Sequence, residues 1–228
     1  MKKTSITILL FLAGFSLVFS QDCSKYYLLE EGATFQYTNY NKKGKSDGVI
    51  DYSVSDVSTN GEGMSAQMNM KVKDKKGDQV AESSYTVNCS GDKISIDFES
   101  LLSSEMMKQY EGMEAEVSGT DIELPNNLEV GQELPDASVA LKIGTGGINM
   151  NITVDMVNRK VEKKESVTTP AGTFDCYVIY SESKTKLMMS RTFPTRMWLT
   201  EGIGMVKQEN YNKAGKVQGS TVLTAYSR

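Results

Sequence analysis

The sequence predicts a mainly β protein: one strongly curved antiparallel sheet, a half-barrel or open barrel, with one short helix packed against it. Three observations carry this. Strand-like runs separated by turn residues recur at intervals of roughly ten to fifteen residues, the spacing of all-β domains. One turn pattern appears three times, as Asn41-Lys42-Lys43-Gly44, Asp74-Lys75-Lys76-Gly77 and Asn212-Lys213-Ala214-Gly215. The run Phe174–Tyr180 is apolar on both faces, with Phe174, Cys176 and Val178 alternating against Tyr177 and Ile179. A half-exposed strand shows polar residues on one face, so this one needs cover on both.

Of the 228 residues, the first twenty read as a signal peptide. Lys2 and Lys3 form a positive start, Ile6 to Phe19 an apolar core, and Val18-Phe19-Ser20 the small side chains of a processing site, placing cleavage before Gln21. The apolar run is shorter than the ~20 residues of a bilayer helix. No small-residue lipobox precedes Cys23. The expected product is exported, periplasmic or envelope-associated, and not membrane-spanning. The remaining 208 residues (228 less twenty) suffice for a single antiparallel β domain over 21–228. Loss of Lys2 and Lys3 moves the formal net charge from −4 to −6, which argues against nucleic acid as a partner.

After a short lead-in, Tyr26 to Glu31, the strands Ala33–Asn41, Val49–Val57, Met64–Lys73, Gln79–Asn88 and Lys93–Phe98 are expected to form an antiparallel meander. Asn60-Gly61 is the strongest hairpin dipeptide. Each recurring turn places a glycine for positive φ after Asn or Asp and two helix-tolerant residues, which is a type I turn closed by a bulge. The lysines on these tips read as solvated turn residues rather than a docking surface. Ser103 can cap a helix that Gly112 ends, with Leu102 and Met107 as a hydrophobic staple. Met106, Tyr110 and Met113 form its apolar face. Beyond it, Met113–Glu123 and Ala137–Ile143 read as strands, followed by a long strand pair, Ile148–Val157 and Arg159–Val167. The turn Thr169-Pro170-Ala171-Gly172 uses proline to preset φ at its second position and glycine at its fourth. Phe174–Tyr180 leads out of it. The closing strands are Thr185–Phe193, Thr195–Thr200, Gly204–Tyr211 and Lys216–Tyr226.

Histidine is absent. That removes Ser-His-Asp and Cys-His machinery, imidazole metal ligands and imidazole acid–base chemistry. Carboxylates such as Glu114, Glu116, Asp51, Asp56 and Asp97 sit on alternating strands with nothing to set one pair apart, so no enzyme activity is expected. Calcium-loop spacing and paired zinc cysteines are missing, and Met68 and Met70 suit core filling better than copper. No metal and no cofactor is expected. Three cysteines in an oxidising compartment suggest one bond and one thiol. Cys23 and Cys89 lie in accessible places for a disulfide, and Cys176 lies within the doubly apolar strand.

Trp198 stands with Arg196 and Thr200 on the more polar face of its strand, opposite Met197 and Leu199. It reads either as a rim residue or as a wall of a cleft. Val167-Thr168-Thr169-Pro170-Ala171-Gly172-Thr173-Phe174, Trp198, Gly202-Ile203-Gly204-Met205-Val206-Lys207 and the Tyr211-Asn212-Lys213 turn together resemble the TapB-like exported proteins of Bacteroidota. That family, of unknown function, belongs to a broader group sharing a Pro-Ala-Gly-Thr-Phe turn. The resemblance spans the mature chain and implies a fold similar to the curved half-barrels of periplasmic lipoprotein carriers. It transfers no catalytic residues. One helix, where a carrier lid needs more, is a departure from those carriers. The expectation is an exported, non-enzymatic envelope protein whose concave face binds a lipid or other hydrophobic ligand. Trp198, Tyr177, Ile179, Met106 and Tyr110 are the candidate ligand-binding residues, and Pro170 and Gly172 the structural turn. The alternative is a structural or interaction module whose concavity is filled by its own side chains.

Overall fold

Residues 23–61, 63–97, 114–145, 148–186 and 190–228 are described by a computed structural model, and within them apolar alternation has built thirteen strands into one antiparallel sheet. These are β1 (Thr34–Asn41), β2 (Ser46–Asn60), β3 (Gly63–Asp74), β4 (Gln79–Ser90) and β5 (Lys93–Ile96). Then come β6 (Glu114–Thr120), β7 (Ile122–Pro125), β8 (Ala137–Thr145), β9 (Ile148–Thr169) and β10 (Gly172–Lys186). The chain closes with β11 (Ser190–Thr200), β12 (Gly204–Tyr211) and β13 (Val217–Ser227). The spatial order is β6-β8-β9-β10-β11-β12-β13-β1-β2-β3-β4-β5-β7. Its two edge strands, β6 and β7, are separated in sequence by Asp121 alone. A sheet whose ends are neighbours in the chain is curled almost into a closed barrel. The expected helix over Ser103–Gly112, with Met106 and Tyr110, lies outside the described residues.

Turn chemistry sets the hairpins. In the three recurring turns the Asn or Asp carboxamide or carboxylate oxygen accepts the N–H two residues on: Lys43 to Asn41 at 3.0 Å, Lys76 to Asp74 at 2.8 Å, Ala214 to Asn212 at 3.0 Å. Gly44, Gly77 and Gly215 follow at φ 70°, 91° and 72°, where a side chain is strained. Three expected boundaries are corrected. Met113–Glu123 is not one strand: the chain breaks at Asp121, and β6 and β7 join opposite edges of the sheet. Ile148–Val157 and Arg159–Val167 are not a pair but one 22-residue strand, β9, carried through Asn158 at φ 54° as a bulge. Thr185–Phe193 is not one strand: β10 ends at Lys186, and Phe193 and Pro194 lie within β11, Pro194 opposite Glu182. Pairing of β11 with β12 ends at Thr195, so Pro194 lies on a free edge where its missing N–H costs nothing.

The seam between the sheet's two ends is closed by β9 and the segment before β8. Pairing of β8 stops at Ala137 opposite Met156, which leaves that edge of the next stretch of β9 without a strand neighbour. The segment between β7 and β8 takes that edge. Gly131 N–H donates to the Val161 carbonyl at 2.8 Å, Val161 N–H to Gln132 at 2.9 Å, and Leu134 N–H to Arg159 at 2.9 Å. The Arg159 guanidinium reaches back across the seam, donating to the carbonyls of Pro135 and, at 3.0 Å, of Glu123 in β7.

The lead-in crosses one end of the barrel. Cys23 is bonded to Cys89 of β4, with Cα atoms 5.8 Å apart, the pairing expected from the sequence. The Asn126 side chain, beyond β7, donates to the Cys23 carbonyl at 2.7 Å and accepts from Lys25 N–H at 3.1 Å. Gly202 N–H, in the β11–β12 turn, donates to the Lys25 carbonyl at 2.9 Å, and Tyr27 bridges to Ile203. This strap, Cys23 to Tyr27, therefore touches three separated parts of the sheet. Two cores lie under it. Cys176, Val178, Trp198, Val206, Leu223, Phe35 and Tyr37 belong to the larger, and Tyr26, Leu124, Leu134, Val161, Ile179 and Leu199 to the smaller. The doubly apolar strand β10 lies between the two and gives one face to each.

Reducing the disulfide, which closes a separation of 66 residues, should cost about 4 kcal/mol on the chain-entropy model. A denaturant midpoint unmoved by dithiothreitol would show that the strap holds without it. Cys176 is buried and its thiol is pushed up to about 11 by that burial, so a maleimide should label it only in the unfolded chain. Replacing Arg159 with methionine strands two carbonyls at the seam and should destabilise by about 3 kcal/mol in chemical denaturation; an unchanged midpoint contradicts its role in closure.

Candidate ligand-binding cavity

On the side of the lumen formed by β9 to β13, the sheet leaves a cavity of about 620 Å³, facing Ile94 and Ile96 of β5 and Ile122 and Leu124 of β7. The pairing register arranges its other wall in rows. The deepest row is Ile179, Met197 and Gln208, directly paired across β10 to β12. The next row is Ser181, Thr195, Asn210 and Gly219, and the β9 bulge places Arg159 beside it. The outer row is Met156, Ser183 and Phe193. Burial gives the cavity a direction. Ile94, Ile179 and Leu124 at its floor are 0%, 3% and 5% exposed, whereas Phe193 is 42% exposed and marks the mouth.

The polar groups of this wall bond mainly to one another. Ser181 and Thr195 hydroxyls are 2.7 Å apart, and Gln208 donates to Asn210 at 3.4 Å. Arg159 differs from them. It is only 4% exposed, its hydrogen bonds run to two carbonyls, and among the described residues it has no ion pair. Burial lowers its pKa, with the nearby charges of Asp136 and Glu123 opposing, yet an arginine remains charged at any physiological pH. Glu123 is itself paired to Lys93. Tyr27 of the strap borders the same space; burial pushes its phenol up and the Arg159 charge pulls it back. No group of three or more metal-ligating side chains occurs among the described residues.

The sequence candidates are divided by this geometry. Ile179 lines the cavity. Tyr177, two residues deeper on the same face, is capped instead by Tyr26, ring centroids 6.1 Å apart, and by the Lys164 ammonium at 4.2 Å. Trp198 is not in the cavity wall. It pairs with Val178 on the opposite face, its indole N–H donates to Glu165 at 2.7 Å, and the Lys207 ammonium stands 4.6 Å from its ring. Lys163 and this indole together hold the Glu165 carboxyl below its ordinary range. Arg196, on the same face, grips Glu162 through two bonds of 2.6 and 3.0 Å between the rings of Tyr180 and Tyr211. Met106 and Tyr110 lie outside the described residues. Arg159, Tyr27, Ser181 and Thr195 were missed by sequence reasoning. An arginine two residues from both Val157 and Val161 is a signal that could have marked the first, and continuing the Ile179 face along β10 reaches the third.

Comparison with known proteins places this geometry in context. No curated protein matches the chain. A crystal structure of an exported protein with a YmcC-like fold from Bacteroides fragilis is 20% identical and superposes with a TM-score of 0.72, covering 90% of this chain and 100% of that one. A lipoprotein from Parabacteroides distasonis is 23% identical with a TM-score of 0.73, over 91% of this chain and 100% of its own. Likeness at these identities establishes a shared fold. The DUF3108-like family model matches residues 30–223, and the chain belongs to the DUF3108-like family.

Proposed function

We propose that the protein is an exported, non-enzymatic component of the cell envelope that takes a lipid or similar apolar molecule into the barrel cavity. The observation that carries this reading is the cavity itself: about 620 Å³, closed at one end by Ile94, Leu124 and Ile179 and open beside Phe193. Its volume lies in the range of small-molecule sites, and its walls are mainly apolar with a few polar groups converging on one level. A self-filled module packs such a space with its own side chains. Export is supported by the charged and apolar segment before Gln21 and by a disulfide, which belongs to oxidising compartments. The absence of histidine supports the non-enzymatic part of the reading.

Titration of the mature chain with the neutral dye N-phenyl-1-naphthylamine tests this. Saturable enhancement with one site per chain is expected, together with a rise in melting temperature. Ser183→Trp, which fills the cavity near its mouth, should abolish the enhancement while the protein still melts cooperatively. Absent enhancement, or a Ser183→Trp chain that binds the dye as well as the original, would overturn the reading in favour of a self-filled module.

A further inference from the structure

Arg159 carries more than closure of the seam. A buried cation is costly unless it is paired. Two carbonyl dipoles satisfy two of its five N–H groups, and the nearest carboxylates do not bond to it: Glu123 is engaged by Lys93, and Asp136 is exposed. The guanidinium borders the cavity, which the Ser181 and Thr195 hydroxyls also line, whereas the rows above and below present Met156 and Phe193, and Ile179 and Met197. Positive charge and hydroxyl donors therefore coincide at one depth, between apolar rows and facing the apolar wall of Ile96 and Ile122. Such a distribution matches a molecule with one anionic head and one apolar chain. A neutral lipid leaves the cation uncompensated, and a cationic one is repelled.

We infer that the cavity is selective for single-chain anionic amphiphiles, with Arg159 binding the carboxylate or phosphate head and one hydroxyl of the Ser181–Thr195 pair donating to it. This rests on the cavity being a lipid site, and the experiment separates the two ideas. Competition against N-phenyl-1-naphthylamine is measured for hexadecanoate, hexadecyl phosphate and hexadecan-1-ol below their micellar concentrations. Both anions should displace the dye at least tenfold more effectively than the alcohol; their ratio to each other tells carboxylate from phosphate. Equal potency of anions and alcohol refutes the anion site and leaves the apolar cavity standing. No dye binding at all removes both. Arg159→Gln should level the anion preference while alcohol and dye still bind. If that variant fails to fold, Ser181→Asp decides, because a carboxylate beside Arg159 neutralises it and should lower anion potency at least tenfold without affecting the alcohol. Anion preference retained in a folded Arg159→Gln or Ser181→Asp chain overturns the assignment.

Discussion

Closure of the sheet across one seam is the constraint on which the rest depends. An open thirteen-strand sheet presents two long rows of unpaired backbone groups, an aggregation hazard. Here the chain meets the problem with backbone it already has. The segment between β7 and β8 pairs along β9 where β8 leaves off, and Arg159 bonds the carbonyls of Pro135 and Glu123 from within the seam. A lysine would serve poorly, since a single ammonium cannot present the planar fork that spans two separate carbonyls. The Asn158 bulge is what turns Arg159 toward them, since a bulge adds a residue to one strand and re-aims the side chains after it.

The second organising element is β10, whose middle residues are buried on both faces. Antiparallel strands are commonly half-exposed, so a strand with Cys176 and Val178 in one core and Ile179 in another needs two layers of cover. The larger core covers one face, and the strap with the β7–β8 segment covers the other through Tyr26, Leu124, Leu128 and Leu134. This explains why the disulfide matters beyond its own loop. By fixing Cys23 to β4 it holds Tyr26 and Tyr27 across the barrel end, and so fixes the floor on which the cavity stands.

Much of this architecture was legible in the residues. Period-two alternation located most strands, the recurring Asn/Asp-x-x-Gly tips located three hairpins, and the doubly apolar run predicted two-sided burial. What failed to show did so for physical reasons. A bulge residue such as Asn158 resembles a turn, because both use positive φ, so β9 read as two strands. Pro194 resembles a strand end because the sequence does not reveal that its edge is free. Asp121 lies in a continuous-looking run whose halves part to opposite ends of the sheet, and nothing local distinguishes a strand from a seam. Trp198 illustrates the same limit at the candidate site. Its face was read correctly against Met197, but which face looks into the lumen depends on global curvature, and the lumen lies on the Met197 side.

The position of the cavity follows from which side chains occupy the lumen on each side of the strap. Beneath Tyr27 and Leu28, the strands β1 to β4 contribute Tyr37, Tyr52, Met68 and Tyr85, large groups that leave only about 120 Å³ between them. Their rings meet edge to face, with centroids 5.6 and 6.4 Å apart, and the Tyr37 hydroxyl is anchored on the Met205 carbonyl at 2.7 Å. Across Tyr27, the same concave surface carries Ser181, Ser183, Thr195 and Gly219 in β10, β11 and β13. Curvature alone does not decide where a barrel is hollow, because interiors pack to near-crystalline density wherever side-chain volume allows. Small residues in adjacent rows, backed by rigid hydrogen-bonded strands that cannot collapse inward, keep that half open. The aromatic half stabilises the fold, and the small-residue half, with a buried cation among its hydroxyls, accepts the packing cost of an open cavity.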